Sequence, residues 1–394
     1  MDTMQTINRP LRIMHIGKYF PPHRGGMETY LQDLMNTQCA AGLEVCALVH
    51  QSETSMRDRI DKVPTPSGKS YEVVRAARWF NLGFVPVSPF FVSSAAALIA
   101  RFEPDVIHIH HPNASPVGLL LLPSAQRVSW VSQWHADILT PMANRLVRLA
   151  YALYRPMEQA VLRRSSTILA TSAAYFECSH ALASHQQRVK VLPLGLDQTR
   201  LPASDEVNPL PRDKMPLVLS VGRLCGYKGF DTLIEAVRLV PELQCWIVGD
   251  GPDKSKLQAL IKRHQLQERV RLLGALNNIE LWRAYKTCDV FVLPSFDKTE
   301  AFGMVLLEAM QFAKPIVVCD IKGSGVPWVA KLADRSTIVP VKDPGALARA
   351  ITAHLKNGQQ HSKPTPTPTT LNLITQVKDL CGVYEQARSD YTLQ

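Results

Sequence analysis

VFVLPSFDKTEAFGMVLLEAMQFAKPIVVC, residues 290–319, holds a complete strand–helix–strand pattern. Val290 to Leu293 is a short β-branched and aliphatic run that stops at Pro294 and Ser295, as a buried strand does. A polar loop carries Glu300. From Gly303 to Phe312 the apolar residues recur at helical spacing, and Pro315 to Cys319 is again a strand. A strand, a helix of that length and a second strand make one parallel crossover unit. Parallel sheets hold their ligands just beyond the carboxyl ends of the strands. The turn that holds Glu300 is therefore the first place to look for chemistry.

The alternation extends outward in both directions. Strands at 217–221, 245–248 and 270–273 are separated by helices at 231–240, 254–264 and 279–287. Further upstream, strands at 12–17, 44–50, 105–110, 128–135, 168–172 and 189–192 alternate with helices at 28–41 and about 141–164. Between Pro193 and Pro216 five prolines punctuate a polar segment and the pattern stops. The expected organisation is an N-terminal Rossmann-like domain over 1–195, a linker over 196–215 and a second Rossmann-like domain over 216–362. Residues 363–394 are expected to be a Thr/Pro spacer followed by a helix packing back across the domains. The fold class is α/β, with two Rossmann-like domains facing across a cleft.

Composition narrows the class. The chain has 394 residues, 46% of them hydrophobic, so a folded two-domain protein is expected rather than a disordered one. The formal net charge of +10 favours an anionic partner. None of the eight cysteines forms a C-x-x-C pair, which excludes a local zinc or redox motif of that kind. No aromatic–basic RNA motif is present, so nucleic acid is not expected as a partner. The N-terminus has no signal-peptide core. The uncharged stretch 81–100 is broken by Pro86 and Pro89, so a loop and a short helix from near Ser88 are expected rather than a membrane span.

Several turns after strands carry candidate residues. Gly25-Gly26 follows the first strand and precedes a helix, where backbone N–H groups can approach a phosphate or a sugar. The spacing is not G-x-G-x-x-G, so the dinucleotide fingerprint is absent. Gly222-Arg223 and Lys228 follow strand 217–221; two cations there can neutralise a diphosphate leaving group. The N–H groups of Phe302, Gly303 and Met304 open a helix and suit an anion. Glu308 lies inside the apolar run Val305-Leu306-Leu307-Glu308-Ala309-Met310, where a carboxylate needs a partner.

Together these residues resemble family 4 of the retaining glycosyltransferases, enzymes of the GT-B fold. Glu300 and Glu308 look like that family's E-x7-E motif, Gly222-Arg223 with Lys228 its basic clamp, and Gly25-Gly26 its N-terminal glycine loop. Val248-Gly249-Asp250-Gly251-Pro252 and Leu192-Pro193-Leu194-Gly195-Leu196-Asp197 are also similar to it. The likeness runs from about residue 11 to 351. It implies that Glu300 bonds the donor sugar, Glu308 the nucleotide ribose, and Arg223 and Lys228 the diphosphate, with His135 near the reacting centre. It also implies retention of the donor's anomeric configuration: the acceptor hydroxyl attacks on the face from which the nucleoside diphosphate leaves, and the leaving phosphate takes the proton. Gly323-Ser324-Gly325-Val326-Pro327-Trp328 is similar to the segment in bacterial mannosyl- and rhamnosyltransferases of surface polysaccharides, which makes GDP-mannose the leading donor and leaves UDP-sugars open. One departure is Asp334-Arg335-Ser336, where many relatives have an Asn-Gly turn.

The expected partners are a nucleotide-sugar donor, as substrate rather than cofactor, and a saccharide or lipid-linked acceptor. No metal is expected: there is no D-x-D triplet, and no cysteine or acid joins His108, His110 and His111 locally. Residues 1–195 carry 19 Lys and Arg against 13 Asp and Glu. Arg145, Arg148, Arg155, Arg163 and Arg164, interleaved with Leu146, Leu149 and Leu153, suggest contact with an anionic membrane surface. The expected location is cytoplasmic, peripheral on the inner face of the cytoplasmic membrane. A sugar-nucleotide epimerase or a phosphorylase on the same fold is the enzymatic alternative. A non-catalytic nucleotide-binding protein is the other; the presence of both Glu300 and Glu308 speaks against it.

Overall fold

The computed structural model describes residues 9–23, 25–83, 85–138, 145–203, 206–356 and 368–392. They form two compact units. The first comprises Met1–Ala170, His180–Gly195 and Leu373–Gln394; the second comprises Thr171–Ser179 and Leu196–Asn372.

The N-terminal unit is built on strands β1 (Arg12–Ile16), β2 (Glu44–His50), β3 (Arg59–Pro64), β4 (Ser70–Ala76), β7 (Val106–His111), β8 (Ser129–Trp134), β9 (Thr167–Ala170) and β10 (Val189–Val191). Their order is β10-β9-β8-β7-β1-β2-β4-β3, and only the β3–β4 pair is antiparallel. A separate hairpin joins β5 (Phe80–Leu82) and β6 (Val85–Val87). Met14 and Ile16 of β1, with Ile107 and Ile109 of β7, pack with Phe91 and Leu98 of the helix Phe91–Phe102 in one core. Alternation then turns His15, His108 and His110 to the other face. There the helices Gly26–Ala40 and Leu373–Thr392 lie against each other and the sheet.

The second unit holds β11 (Leu217–Val221), β12 (Gln244–Val248), β13 (Val270–Gly274), β14 (Val290–Leu293), β15 (Ile316–Cys319) and β16 (Ser336–Val339). All neighbours are parallel, in the order β13-β12-β11-β14-β15-β16. Counted within the unit this is the 3-2-1-4-5-6 order of a Rossmann sheet, which reverses direction between its first and fourth strands. Every residue of β11, β12, β14 and β15 is buried, as expected for strands covered by helices on both faces.

Several details differ from the reading of the sequence. Strands β3 and β4 are additional. β3 is an edge strand with four of its six residues exposed, so it shows no apolar run. The stretch 81–100 holds the β5–β6 hairpin, and its helix begins at Phe91 rather than near Ser88. The segment expected to be a linker is anchored on the second unit: Arg212 bonds Asp289 at 2.6 and 2.9 Å, and the Leu210 N–H bonds Thr287 Oγ1 at 2.7 Å. Residues 171–179 also belong to that unit, and the final helix belongs to the first. The start of the helix expected at 141 and most of the Thr/Pro spacer lie outside the described residues. At the departure Asp334-Arg335-Ser336, the Arg335 carbonyl accepts from Ile316 N–H at 2.9 Å, so the loop still delivers β16 in register.

Candidate functional site

In the second unit the candidate residues gather at the carboxyl ends of β11 and β14. The turn after β11 runs back on itself at Gly229, whose φ of +66° only glycine adopts readily and whose Cα faces the Pro294 carbonyl. This fold places Lys228 over Gly222; a Cβ on Gly222 would stand 3.1 Å from the Lys228 Nζ. The Lys228 Nζ is 2.5 Å from Glu300 Oε2, and the Ser295 hydroxyl donates to the same oxygen at 3.0 Å. Both charged side chains are about nine-tenths buried, at 10% and 12% exposure, so water weakens the pair little. Arg223 is exposed and forms no ion pair among the described residues.

The backbone around Glu300 is held from behind. The Ser324 hydroxyl donates to the Glu300 carbonyl, and the Gly325 N–H donates to the Ala301 carbonyl at 2.8 Å. Thus the segment Gly323–Trp328, singled out for its likeness to mannosyl- and rhamnosyltransferases, acts here as a buttress for Glu300. Gly303, at φ +80°, opens the helix Met304–Gln311. The N–H groups of Phe302, Gly303 and Met304 have no acceptor among the described residues, as expected for a helix N-terminus.

Glu308 finds the partners its apolar surroundings demand. Arg200 NH2 donates to Oε1 at 3.2 Å, and the Tyr285 hydroxyl donates to Oε2 at 2.9 Å. Burial, with the Glu308 charge added, pushes the Tyr285 phenol well above its ordinary range, so it stays a donor. Each carboxylate oxygen keeps a lone pair for a further donor. Arg200, Tyr285, Ser295 and Ser324 were not legible in the sequence. Arg200 lies in the proline-punctuated segment and Tyr285 in an ordinary helix; only the charged residue in the apolar run announced that such partners had to exist.

In the N-terminal unit, Gly25 has φ 178°, an extended conformation open to any residue. Its glycine is explained by packing: a Cβ there would overlap the Glu28 carboxylate. Glu28, in the first helical turn, thus fills the space beside the N-terminus that the Gly25-Gly26 turn leaves open.

His135 follows β8 directly and is 5% exposed. Its Nε2 lies 3.1 Å from His110 Nδ1, and its Nδ1 is buried without a partner among the described residues. His110 Nε2 lies 3.1 Å from His15 Nδ1. Burial lowers the His135 pKa to about 3 and that of His15 to about 4, and holds His108 and His110 well below the usual range. The sequence grouped His108, His110 and His111. The structure turns His111 away, to Ser132 Oγ at 3.2 Å, and brings His15 in from β1. His15, His108 and His110 each offer a nitrogen within 4.8 Å of the others. Such a set suits a transition metal by ligand type, though the His15–His110 nitrogens are already spent on a hydrogen bond.

The helix Arg145–Arg164 exposes Leu146 (74%), Leu149 (63%) and Leu153 (71%) along one stripe, with Arg145, Arg148 and Arg155 also exposed. No helix among the described residues is long and apolar enough to cross a membrane.

Comparison with known proteins agrees with this geometry. The model of the glycosyl transferase 4-like domain matches residues 25–195, and that of glycosyl transferases group 1 matches residues 204–366. The O-antigen chain mannosyltransferase C of Escherichia coli is 26% identical, over 86% of this chain and 88% of its own. The D-rhamnosyltransferase WbpZ of Pseudomonas aeruginosa is 26% identical, over 86% of each chain. Among solved structures, sucrose-phosphate synthase from Thermosynechococcus elongatus superposes with a TM-score of 0.70 at 21% identity, covering 97% of this chain and 98% of that one. Anabaena HepE in complex with UDP-glucose superposes at 0.70 and 18% identity, covering 95% and 100%. The chain has the GT-B fold and belongs to the family 4 glycosyltransferases.

Proposed function

We propose that this glycosyltransferase moves a hexose, with mannose the leading candidate, from a nucleoside-diphosphate sugar to a saccharide or lipid-linked acceptor, with retention and without a metal. The observation that carries the reading is the pairing of Lys228 with Glu300 at 2.5 Å, beside a helix N-terminus whose first N–H groups have no acceptor among the described residues. Breaking a sugar–phosphate bond builds negative charge on the leaving diphosphate and positive charge on the sugar. Lys228, Arg223 and the N–H groups of Phe302, Gly303 and Met304 answer the first; the Glu300 carboxylate is available to a sugar hydroxyl. Glu308, held by Arg200 and Tyr285, offers its remaining lone pairs to the ribose. Gly25, Gly26 and His135 of the N-terminal unit are assigned to the sugar rather than the phosphates. The Glu28 carboxylate beside Gly25 and the neutral His135 both suit hydroxyl groups.

Support for mannose comes from relatives. The mannosyltransferase of E. coli is one; another, 25% identical, is the GDP-mannose-dependent phosphatidylinositol monomannoside mannosyltransferase of Corynebacterium glutamicum. The location proposed is peripheral, on an anionic membrane surface met by the leucine stripe and arginines of the helix Arg145–Arg164. The test is donor turnover: purified protein with GDP-mannose, UDP-glucose or ADP-glucose and bacterial lipid-linked oligosaccharides, with product anomers read by NMR. Acceptor-dependent formation of an α-linked product from an α-linked donor supports the reading. An inverted anomer, a donor epimerised without acceptor, or free sugar 1-phosphate would each refute it.

A further inference from the structure

The core of the N-terminal unit contains a polar layer that the donor site does not account for. Buried polar atoms in proteins nearly always have partners. Here one set of partners joins in a line, while Tyr30 Oη, His108 Nε2 and both polar atoms of Gln133 have no hydrogen-bond partner among the described residues. The line runs from His135 Nε2 to His110 Nδ1 (3.1 Å), from His110 Nε2 to His15 Nδ1 (3.1 Å), and from His15 Nε2 to Gln38 Oε1 (2.8 Å). Gln38 Nε2 then donates to the Tyr384 hydroxyl (3.0 Å), which bonds His108 Nδ1 (2.8 Å). Gln38 comes from the helix Gly26–Ala40 and Tyr384 from the helix Leu373–Thr392, so elements distant in sequence converge on it.

Such a line has a direction. Burial keeps these imidazoles neutral, with one proton each. A neutral ring donates from one nitrogen and accepts at the other. With the Gln38 carboxamide placed so that Oε1 faces His15 and Nε2 faces Tyr384, the oxygen can only accept, so the proton of His15 is on Nε2 and its Nδ1 accepts. His110 must then donate from Nε2 and accept at Nδ1. His135, in turn, donates from Nε2, and its Nδ1 is left bare. That atom is buried and has no partner among the described residues, while the residue as a whole keeps 5% exposure.

We propose that His110, His15, Gln38 and Tyr384 are positioning residues that lock His135 in the Nε2–H tautomer and leave Nδ1 as a vacant acceptor for a substrate hydroxyl. The proposal rests on the reading of His135 as part of the reacting site. An acceptor stripped of water and left unfilled is a penalty that a hydroxyl relieves on binding. A phosphate or carboxylate oxygen cannot relieve it, because it has no proton to give. The relay therefore selects the sugar end of a substrate over the phosphate end.

The test uses the full chain labelled with 15N-histidine. Two-bond 1H–15N correlation spectra report the tautomer of each ring, and His135→Asn assigns the His135 signals. The relay predicts a protonated-type nitrogen at His135 Nε2 and a bare-type nitrogen at Nδ1. Gln38→Leu, shown to be folded by its unfolding transition, should draw the two His135 nitrogen shifts towards each other as the tautomers mix. Tyr384→Phe should do so less, because the Gln38 carbonyl remains. A proton on Nδ1 in the parent protein, or His135 shifts unmoved by Gln38→Leu, would overturn the relay. So would stoichiometric zinc or copper by elemental analysis, since the nitrogens of His15, His108 and His110 lie within 4.8 Å and a metal would consume them. A correct tautomer together with unchanged sugar transfer in His135→Asn would instead overturn the placement of His135 in the reacting site and leave the relay standing.

Discussion

Lys228 and Glu300 show how a few atoms set what the site can bind. Lys228 is held in place by a turn that only glycine completes at position 229, and its ammonium is committed to one carboxylate oxygen. Lys228→Ala should lower turnover by about 10²- to 10³-fold, the effect of removing one charge-stabilising donor from a preorganised site. Steady-state kinetics checks this; a change under threefold would take Lys228 out of the chemistry. Gly229→Ala forces a positive φ on a residue with a Cβ and drives that Cβ into the Pro294 carbonyl. It should destabilise the second unit by about 1–3 kcal/mol, measurable by urea unfolding. Arg223→Ala removes an exposed side chain and should leave stability within about 0.5 kcal/mol while weakening donor binding.

At the level of elements, the helix Arg145–Arg164 separates two readings of one composition. The sequence shows arginines interleaved with leucines, which fits either a solvated basic face over a core or a membrane-facing stripe. The structure leaves Leu146, Leu149 and Leu153 more than 60% exposed, and a solvated basic face does not require that. Co-sedimentation with anionic vesicles should be strong at low salt, fade as salt rises, and fall in Leu149→Ser/Leu153→Ser. Equal binding to neutral vesicles would contradict the electrostatic part of the account. The same comparison shows what a single chain makes legible. The buried parallel strands and their crossover helices could be read directly, because apolar runs and helical spacing are local signals. Edge strand β3 could not, because exposure erases its pattern. Glu300 and Lys228 were legible from charge placed after strands, and Glu308 from charge inside an apolar run. Arg200, Tyr285 and the His15–Gln38–Tyr384 line were not, since their meaning comes from residues far away in sequence.

At the scale of the molecule, the buried histidines make acid stability a property of the N-terminal unit. His15 is lowered to about 4, and His50, His111 and His135 to about 3. The unfolded chain holds protons at these positions below pH about 6.5 that the folded chain refuses. Their contribution is therefore complete above that pH and is lost as pH falls towards 4. Glu158, raised to about 7 by burial, works in the opposite sense above pH about 4.5, but it is one group against these four and the similarly lowered His108 and His110. Unfolding followed by tryptophan fluorescence should show the midpoint temperature falling steadily between pH 6.5 and 4; a flat profile would contradict the neutral, buried state of these rings. Protection against thermal unfolding by UDP-, GDP- and ADP-sugars, with Arg223→Ala and Glu308→Ala as controls, reads out the nucleotide-sugar site of the second unit without any acceptor. A donor at 100 times its dissociation constant stabilises the folded state by about 2.7 kcal/mol. The account predicts protection by sugars of one base, lost in both variants. A folded protein protected by none of them would contradict the assignment of a nucleotide-sugar site to the second unit.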